Sequence, residues 1–169
     1  RMIDVRIERK FDTRVHDPRD AELRVLTHAQ GFREIFARRS VHSLYFDTED
    51  TTSYRDHVSG NDRRLKLRFR WYGPLYQPAL NALATAGRAT LEIKSRAGRT
   101  MTKPSSTVLA HDLAEIQAKV SGRATSLLDW AGPLGVHLIG TRPACLVSYA
   151  RSYFEDADSR LRVTFDYEI

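Results

Sequence analysis

Residues 63–73 read RRLKLRFRWYG, and this alternating segment guides the interpretation of the other strands. Lys66, Arg68 and Arg70 take one parity, and apolar or aromatic residues take the other. Because successive side chains of a strand point to opposite faces, the pattern predicts a strand with one cationic and one apolar face. The cationic face either meets solvent or lines an enclosed cavity for a polyanion, and this strand alone leaves both arrangements open.

The composition is that of a globular domain with anionic partners. The chain has 169 residues, of which 41% are hydrophobic and 28% charged, and its net charge is +6. This excess of Lys and Arg favours nucleic acid, phosphorylated molecules or an acidic membrane surface as partners. The single cysteine, Cys145, excludes an internal disulfide and multi-cysteine zinc sites, and its apolar neighbours predict a buried thiol. No signal peptide or membrane-spanning segment is recognised, so a cytoplasmic location is expected.

The rest of the chain predicts an α+β domain over residues 1–169, with about seven strands in mostly antiparallel pairs. Besides the segment above, strands are predicted at residues 2–11, 32–38, 40–48, 89–96, 99–103, 142–155 and 160–169. Asp17 and Pro18 predict the start of a helix that Gly31 would end. Further helices are predicted at 110–120 and 123–131, a helical turn at 49–58, and a loop at 73–87.

Several of these strands carry a charged face that is rich in Lys and Arg. Its members are Glu8, Lys10, Lys66, Arg68, Arg70, Glu92, Lys94, Lys103, Arg151 and Arg162. This bias favours an antiparallel β-barrel tunnel whose interior cations hold an anion, with helices packed on the apolar outside. Arg and Lys suit a chain of phosphates, and carboxylates among them suit Mg²⁺ or Mn²⁺. For Glu8 or Glu92 taken alone, a salt bridge to a neighbouring Lys or Arg is the favoured interpretation over metal binding.

Other functional classes receive less support from the sequence. No phosphate-binding glycine loop or known catalytic motif occurs, and the six histidines lack metal-ligand spacing. Sequence-specific nucleic-acid recognition is not indicated. A basic sheet could bind single-stranded nucleic acid, but Phe69 and Trp71 lie on the parity opposite to the cations, whereas a stacking platform needs both on one face.

Five motifs in a fixed order resemble a known family. They are ERKF at 8–11, SLYFDT at 43–48, RLKLRFRWYG at 64–73, LEIK at 91–94 and RVTFD at 162–166. Together they resemble the VTC domain, the polyphosphate polymerase branch of the triphosphate tunnel metalloenzymes. The resemblance implies transfer of the γ-phosphate of ATP to a polyphosphate chain inside a cationic tunnel, with Mn²⁺ or Mg²⁺. The mechanism would be positioning and charge neutralisation rather than covalent catalysis.

The resemblance also implies roles for individual residues. With Lys66 added from the alternation, the phosphate-binding residues would be Lys10, Lys66, Arg68, Arg70, Lys94, Lys103, Tyr149, Arg151 and Arg162. Four of these would act directly in the transfer, namely Arg68, Arg70, Lys94 and Arg151. Tyr149 would donate a hydrogen bond to phosphate, and Glu8 would bind the metal.

Two departures from the pattern of the tunnel metalloenzymes bear on the expected function. Tunnel phosphatases begin with a Glu-x-Glu-x-Lys strand, and Arg6 occupies the first of these positions, which favours the polymerase branch. The family pattern continues beyond Ile169 with a metal-binding glutamate and a phosphate-binding lysine, so C-terminal strands are expected to be missing, and Glu168 is a weaker metal candidate. The alternatives are a hydrolase of inorganic or nucleoside triphosphate and a non-catalytic sensor of polyphosphate or nucleotides.

Overall fold

The computed structural model describes residues 8–86, 88–97, 100–102, 105–109 and 140–167. Their helices are α1 (Pro18–Leu26), α2 (Thr52–Val58) and α3 (Ala79–Ala86). Their strands are β1 (Arg33–Thr48), β2 (Arg63–Gly73), β3 (Arg88–Ala97), β4 (Thr100–Thr102), β5 (Ser105–Leu109), β6 (Thr141–Glu155) and β7 (Arg162–Tyr167). The order across the sheet is β4-β3-β2-β1-β6-β7, and β5 also pairs with β3.

The predicted α+β class and its antiparallel pairing are confirmed. β2 occupies residues 63–73, and its neighbours β1 and β3 both run antiparallel to it. The predicted hairpin from residue 89 onward is confirmed by the pairing of β3 with β4. The predicted barrel is not closed by the described strands, because β7 lies at one edge of their sheet and β4 and β5 lie at the other.

The segments predicted as separate strands at 32–38 and 40–48 form one strand of 16 residues, β1. Its register with β6 shifts between Glu34 and Phe36 and again between Phe36 and Arg39. Such bulges insert an extra residue into a strand and interrupt its alternation without ending it. The broken pattern therefore marks an irregular strand rather than a turn.

The loop predicted at 73–87 is wrong, because α3 occupies Ala79–Ala86. Ala and Leu favour helices strongly, and the carbonyl of Pro78 accepts a 2.9 Å hydrogen bond from the N–H of Ala82 at the start of α3. Ala82 and Leu83 of α3 are buried against the apolar face of β2. A Cβ atom on Gly73 would lie 2.6 Å from the Cβ of Ala82, so glycine permits this close approach.

The main core lies between α3 and the apolar parity of β2 and β3. Its buried members are Phe46, Leu67, Phe69, Trp71, Ala82, Leu83, Ala89, Leu91 and Ile93. The indole Nε1 of Trp71 donates a 2.9 Å hydrogen bond to the carbonyl of Ala79, which fixes the start of α3 on the sheet. The apolar face of β2 thus packs under a helix, and the cations project from the opposite face.

The helix α1 begins where the sequence predicts. The carboxylate of Asp17 accepts a 2.8 Å hydrogen bond from the N–H of Arg19, and Pro18 is the first helical residue. The helix ends earlier than predicted, at Leu26, and the hydroxyl of Thr27 caps the carbonyl of Leu23 at 2.8 Å. Gly31 instead closes the following turn, at φ 66°.

The predicted strand at 2–11 is wrong for its described part. Residues 8–11 have no regular secondary structure, and the Phe11 side chain is 84% exposed. Alternation alone does not make a strand, because the backbone also needs a partner strand to satisfy its hydrogen bonds.

Three further expectations concern the rest of the chain. Cys145 is exposed rather than buried, because the register places it opposite Tyr45 on the face away from α3. Lys103, Glu168 and the helices predicted at 110–120 and 123–131 lie outside the described residues. No helix in the described ranges has the length and apolar character needed to cross a bilayer.

Candidate functional site

Strand register gathers most of the predicted phosphate ligands on the face opposite α3. Lys66 lies opposite Lys94, and Arg68 lies between Tyr45 on one side and Glu92 on the other. Directly paired residues of neighbouring strands share a face. We call this surface the cationic face, and its charged or tyrosine side chains include Arg39, Tyr45, Lys66, Arg68, Arg70, Glu92, Lys94, Tyr149, Arg151, Arg162 and Asp166.

Arg68 and Arg70 share the carboxylate of Glu92. Arg68 donates from Nε at 2.8 Å and from Nη2 at 2.5 Å to one Glu92 oxygen, and Nη1 of Arg70 lies 3.7 Å from the other. Nη1 of Arg68 also donates to the hydroxyl of Tyr45 at 3.0 Å. The side chains of Arg68, Arg70 and Glu92 are 26%, 15% and 28% exposed, so these charges are only partly hydrated.

The pKa of Arg68 reflects these contacts. Burial by itself lowers the pKa of this guanidinium, but the hydrogen bond and charge of Glu92 outweigh it, and the pKa is raised. Arg68 is therefore a permanent cation that is held in one orientation. A guanidinium fixed in this way can donate hydrogen bonds to phosphate oxygens without any change in its charge.

A second pair on the cationic face joins β6 to β7. Arg151 donates to both carboxylate oxygens of Asp166, at 2.5 Å and 2.6 Å, and its guanidinium lies 5.1 Å from the centre of the Tyr149 ring. Burial lowers the pKa of Arg151, but the Asp166 hydrogen bonds outweigh it and raise that pKa. Burial raises the pKa of Tyr149, so its phenol keeps the proton that a phosphate oxygen would accept.

Like charges also face each other across the strands of this sheet. The directly opposed pairs are Arg64 with Arg96, Lys66 with Lys94, and Arg39 with Arg151. Opposed like charges destabilise a sheet, so these pairs favour a bound anion. The charge of Lys66 also lowers the pKa of His57, whose Nε2 lies 3.4 Å from the Lys66 ammonium.

The chain resembles known proteins in its sequence pattern and in its fold. The family model of the VTC domain matches residues 3–169. The chain belongs to the VTC domain family. No protein of curated function matches the sequence.

Two solved structures resemble the fold of this VTC domain. A candidate adenylate cyclase from Vibrio parahaemolyticus aligns with a TM-score of 0.51 and 16% identity, over 92% of this chain and 65% of its own. A candidate adenylyl cyclase from Hippeastrum, described as having a dominant triphosphatase activity, aligns with a TM-score of 0.53 and 14% identity, over 79% of this chain and 60% of its own. The VTC domain thus spans less than two thirds of either structure.

Three predicted ligands do not join the centre of the cationic face. Arg162 is 60% exposed and donates at 2.8 Å to Glu155 near the end of β7. Nζ of Lys10 lies 3.9 Å from Oε1 of Glu8, in the irregular segment before α1. Neither side chain forms an ion pair with the cationic face in the described part of the chain. Lys10 and Glu8 do not join the cationic face because this segment is not a strand of the described sheet.

The described residues do not fit the metal implied by the family. Among them, no three His, Cys, Asp or Glu side chains lie together in a metal-binding group. Glu8 is a lone exposed carboxylate, whereas Glu92 and Asp166 are already bonded to arginines. The described carboxylates therefore do not form a metal site.

The sequence did not single out Arg39, Tyr45 or Asp166. Tyr45 and Arg39 share the parity of Ser43, which lies opposite Arg70, so a continuous strand would have indicated both. The predicted break before residue 40 concealed this relation for Arg39. Asp166 alternates with apolar residues in β7, but its role depends on its position opposite Arg151 in β6.

Proposed function

We propose that this VTC domain binds the phosphates of ATP and of inorganic polyphosphate on its cationic face, and transfers the γ-phosphate of ATP to the polyphosphate chain. One observation carries the proposal, namely the register that places cations of β2, β3 and β6 on the same face, opposite the helix-covered core. They are Lys66, Arg68, Arg70, Lys94 and Arg151. The family relationship supports the same ligand class.

The roles follow from the chemistry of phosphoryl transfer. The protein needs to hold donor and acceptor phosphates in line and to neutralise the charge on their oxygens. Arg68 and Arg70 supply planar donors for phosphate oxygens, and Lys94 supplies a point charge. Arg151 and Tyr149 supply further donors from the neighbouring sheet region. A terminal phosphate oxygen of the polyphosphate chain attacks the γ-phosphorus, the bond from that phosphorus to the bridging oxygen of the β-phosphate breaks, and ADP leaves. No protein nucleophile is required.

The proposal is tested by incubating the protein with ATP and Mn²⁺ and separating the products by electrophoresis. We expect polyphosphate chains that lengthen with time. An Arg24→Gln variant serves as a control, because α1 contacts the opposite face of the sheet through Glu22 and Tyr167. Normal ATP binding without polyphosphate formation would contradict the polymerase assignment.

Hydrolysis of triphosphates is the second candidate, favoured by the triphosphatase activity described for the Hippeastrum protein. Release of orthophosphate from tripolyphosphate or ATP without chain growth would support it. Tight binding without turnover, independent of divalent metal, would support a sensor. Competition by single-stranded oligonucleotides at lower concentration than tripolyphosphate would instead support nucleic-acid binding.

Replacement of Glu92 by Gln is expected to tighten the binding of tripolyphosphate roughly tenfold in the absence of divalent metal. The carboxylate neutralises Arg68 and Arg70 and would repel a phosphate placed beside them, at an expected cost of about 1.4 kcal/mol. Titration calorimetry measures the change, with Asp50→Asn on the α2 side as the matched control. Weaker binding would show that Glu92 chiefly orients the two arginines.

Binding of a polyanion is expected to raise the pKa of His57. The charge of Lys66 is the first cause of the lowered pKa in the free protein, followed by burial and by Arg64 and Lys94. An anion that neutralises these cations favours the protonated imidazole, so affinity should rise as the pH falls through the His57 pKa. NMR titration of the imidazole with and without tripolyphosphate checks this, and an unchanged pKa would place the anion away from Lys66.

A further inference from the structure

A cavity of about 400 Å³ opens on the cationic face beside Arg70. Its lining includes three arginines, Arg39, Arg70 and Arg88, together with the rings of Phe36 and Tyr72. Thr90 and Thr107 also line it, and none of the described lining residues is acidic. Such a concave, positively charged site attracts anions, since low-dielectric walls concentrate the field of the fixed charges.

Aromatic rings hold Arg39 in place at this cavity. The guanidinium carbon lies 4.2 Å from the centre of the Tyr72 ring and 4.9 Å from the centres of the Phe36 and Tyr153 rings. Its Nε donates a long hydrogen bond of 3.5 Å to the hydroxyl of Tyr153. These contacts restrict the side chain but leave its charge in place, so its donors are preorganised for an anion.

The charge balance at this cavity differs from the charge balance at the centre of the cationic face. Arg68 and Arg151 each have a carboxylate partner, Glu92 and Asp166. Neither Arg39 nor Arg88 forms an ion pair with any residue in the described ranges. Arg39 also lies directly opposite Arg151, so like charges accumulate beside the cavity.

The positions of the cations define the length of the ligand. Along β3, Lys94 and Arg88 are separated by six residues, which corresponds to about 20 Å at the rise of a strand. Three phosphates joined by two bridging oxygens are much shorter than this row. A triphosphate held by Lys66, Arg68 and Arg70 would end beside this cavity, whereas a longer chain would continue past Arg70 to Arg39 and Arg88.

We propose that Arg39 and Arg88 form an additional phosphate subsite, which binds the part of a polyphosphate chain that extends past Arg70. The inference rests on the proposed function, because it takes polyphosphate as the ligand. It assigns these two arginines to selection of long chains over tripolyphosphate. They act by binding, not in the transfer step.

The test compares two probes, tripolyphosphate and a long-chain polyphosphate of defined length, by titration calorimetry without nucleotide. The variants are Arg88→Gln, Arg39→Gln and the double variant, and Arg24→Gln is the control. For the long chain, we expect roughly tenfold weaker binding for each single variant and up to about a hundredfold for the double variant. Binding of tripolyphosphate should stay within about twofold of the original protein.

Folding is monitored by thermal unfolding, because Arg39 packs on three rings and its replacement could loosen them. Arg88 is exposed and lacks such contacts in the described residues, so Arg88→Gln alone keeps the test decisive. Equal weakening of both probes, or no change for the long chain, would overturn the subsite while leaving the proposed function intact. If the unmodified protein bound neither probe, both proposals would fail.

Discussion

Simultaneous replacement of Arg68 and Arg70 by Gln is expected to weaken the binding of tripolyphosphate roughly a thousandfold. A charge-assisted hydrogen bond contributes about 2 kcal/mol, so loss of one from each side chain amounts to about 4 kcal/mol. Both guanidiniums project from β2 onto the cationic face and are only partly exposed, which strengthens their interaction with an anion. Titration calorimetry with tripolyphosphate measures the loss.

The fold should survive this double replacement. Both side chains lie on the face opposite the α3 core, so no apolar packing is lost. Glu92 loses two charged partners, but it is 28% exposed and water can hydrate it in their place. Circular dichroism should show a native spectrum and a fall of a few degrees in the unfolding temperature. Unchanged affinity in the folded double variant would mean that the cations form an ordinary solvent-exposed face.

Replacement of Phe69 by Ala is expected to lower the free energy of unfolding by about 3–5 kcal/mol. Phe69 is 2% exposed and lies in the core between β2 and α3, with its ring 5.3 Å from that of Phe46 in an edge-to-face contact. Since domains are stable by only about 5–15 kcal/mol, this is a large share of the total. Denaturation by urea measures the change.

The matched control is Tyr54→Ala on α2, where the ring is 64% exposed and the expected change is within about 0.5 kcal/mol. Phe69 lies between Arg68 and Arg70 in β2 but points to the opposite face. The molecules of Phe69→Ala that remain folded should therefore keep their affinity for tripolyphosphate. A small stability loss would contradict the assignment of this face to the core.

Much of the site was predictable where alternation is strict. In β2 the parity of Lys66, Arg68 and Arg70 identified the cationic side chains, and the parity of Phe69 and Trp71 identified the core. Prediction failed where a bulge interrupts the alternation, and where an alternating segment has no neighbouring strand in the described sheet. The bulges of β1 concealed Arg39, and residues 8–11 alternate without belonging to a described strand.

The helix α3 illustrates a different limit. Its short run of Ala and Leu follows Pro74 and Pro78, and such a segment resembles a loop until an apolar surface is available to cover. Short helices are only marginally stable in isolation, because fixing the backbone of the first turn costs more free energy than its first hydrogen bond contributes. Packing of Ala82 on the sheet stabilises this one, and that contact depends on residues distant in sequence.

Which side chains of a strand share a face can be derived from the amino-acid order alone, because alternation is a local property of an extended backbone. That order did not determine which strands are neighbours. Strand pairing in the folded sheet brings Arg68 to Glu92 and Arg151 to Asp166, and it places Arg39 opposite Arg151 beside an arginine-lined cavity. These contacts join residues far apart in the chain, and register between such strands arises from the packing of the whole sheet.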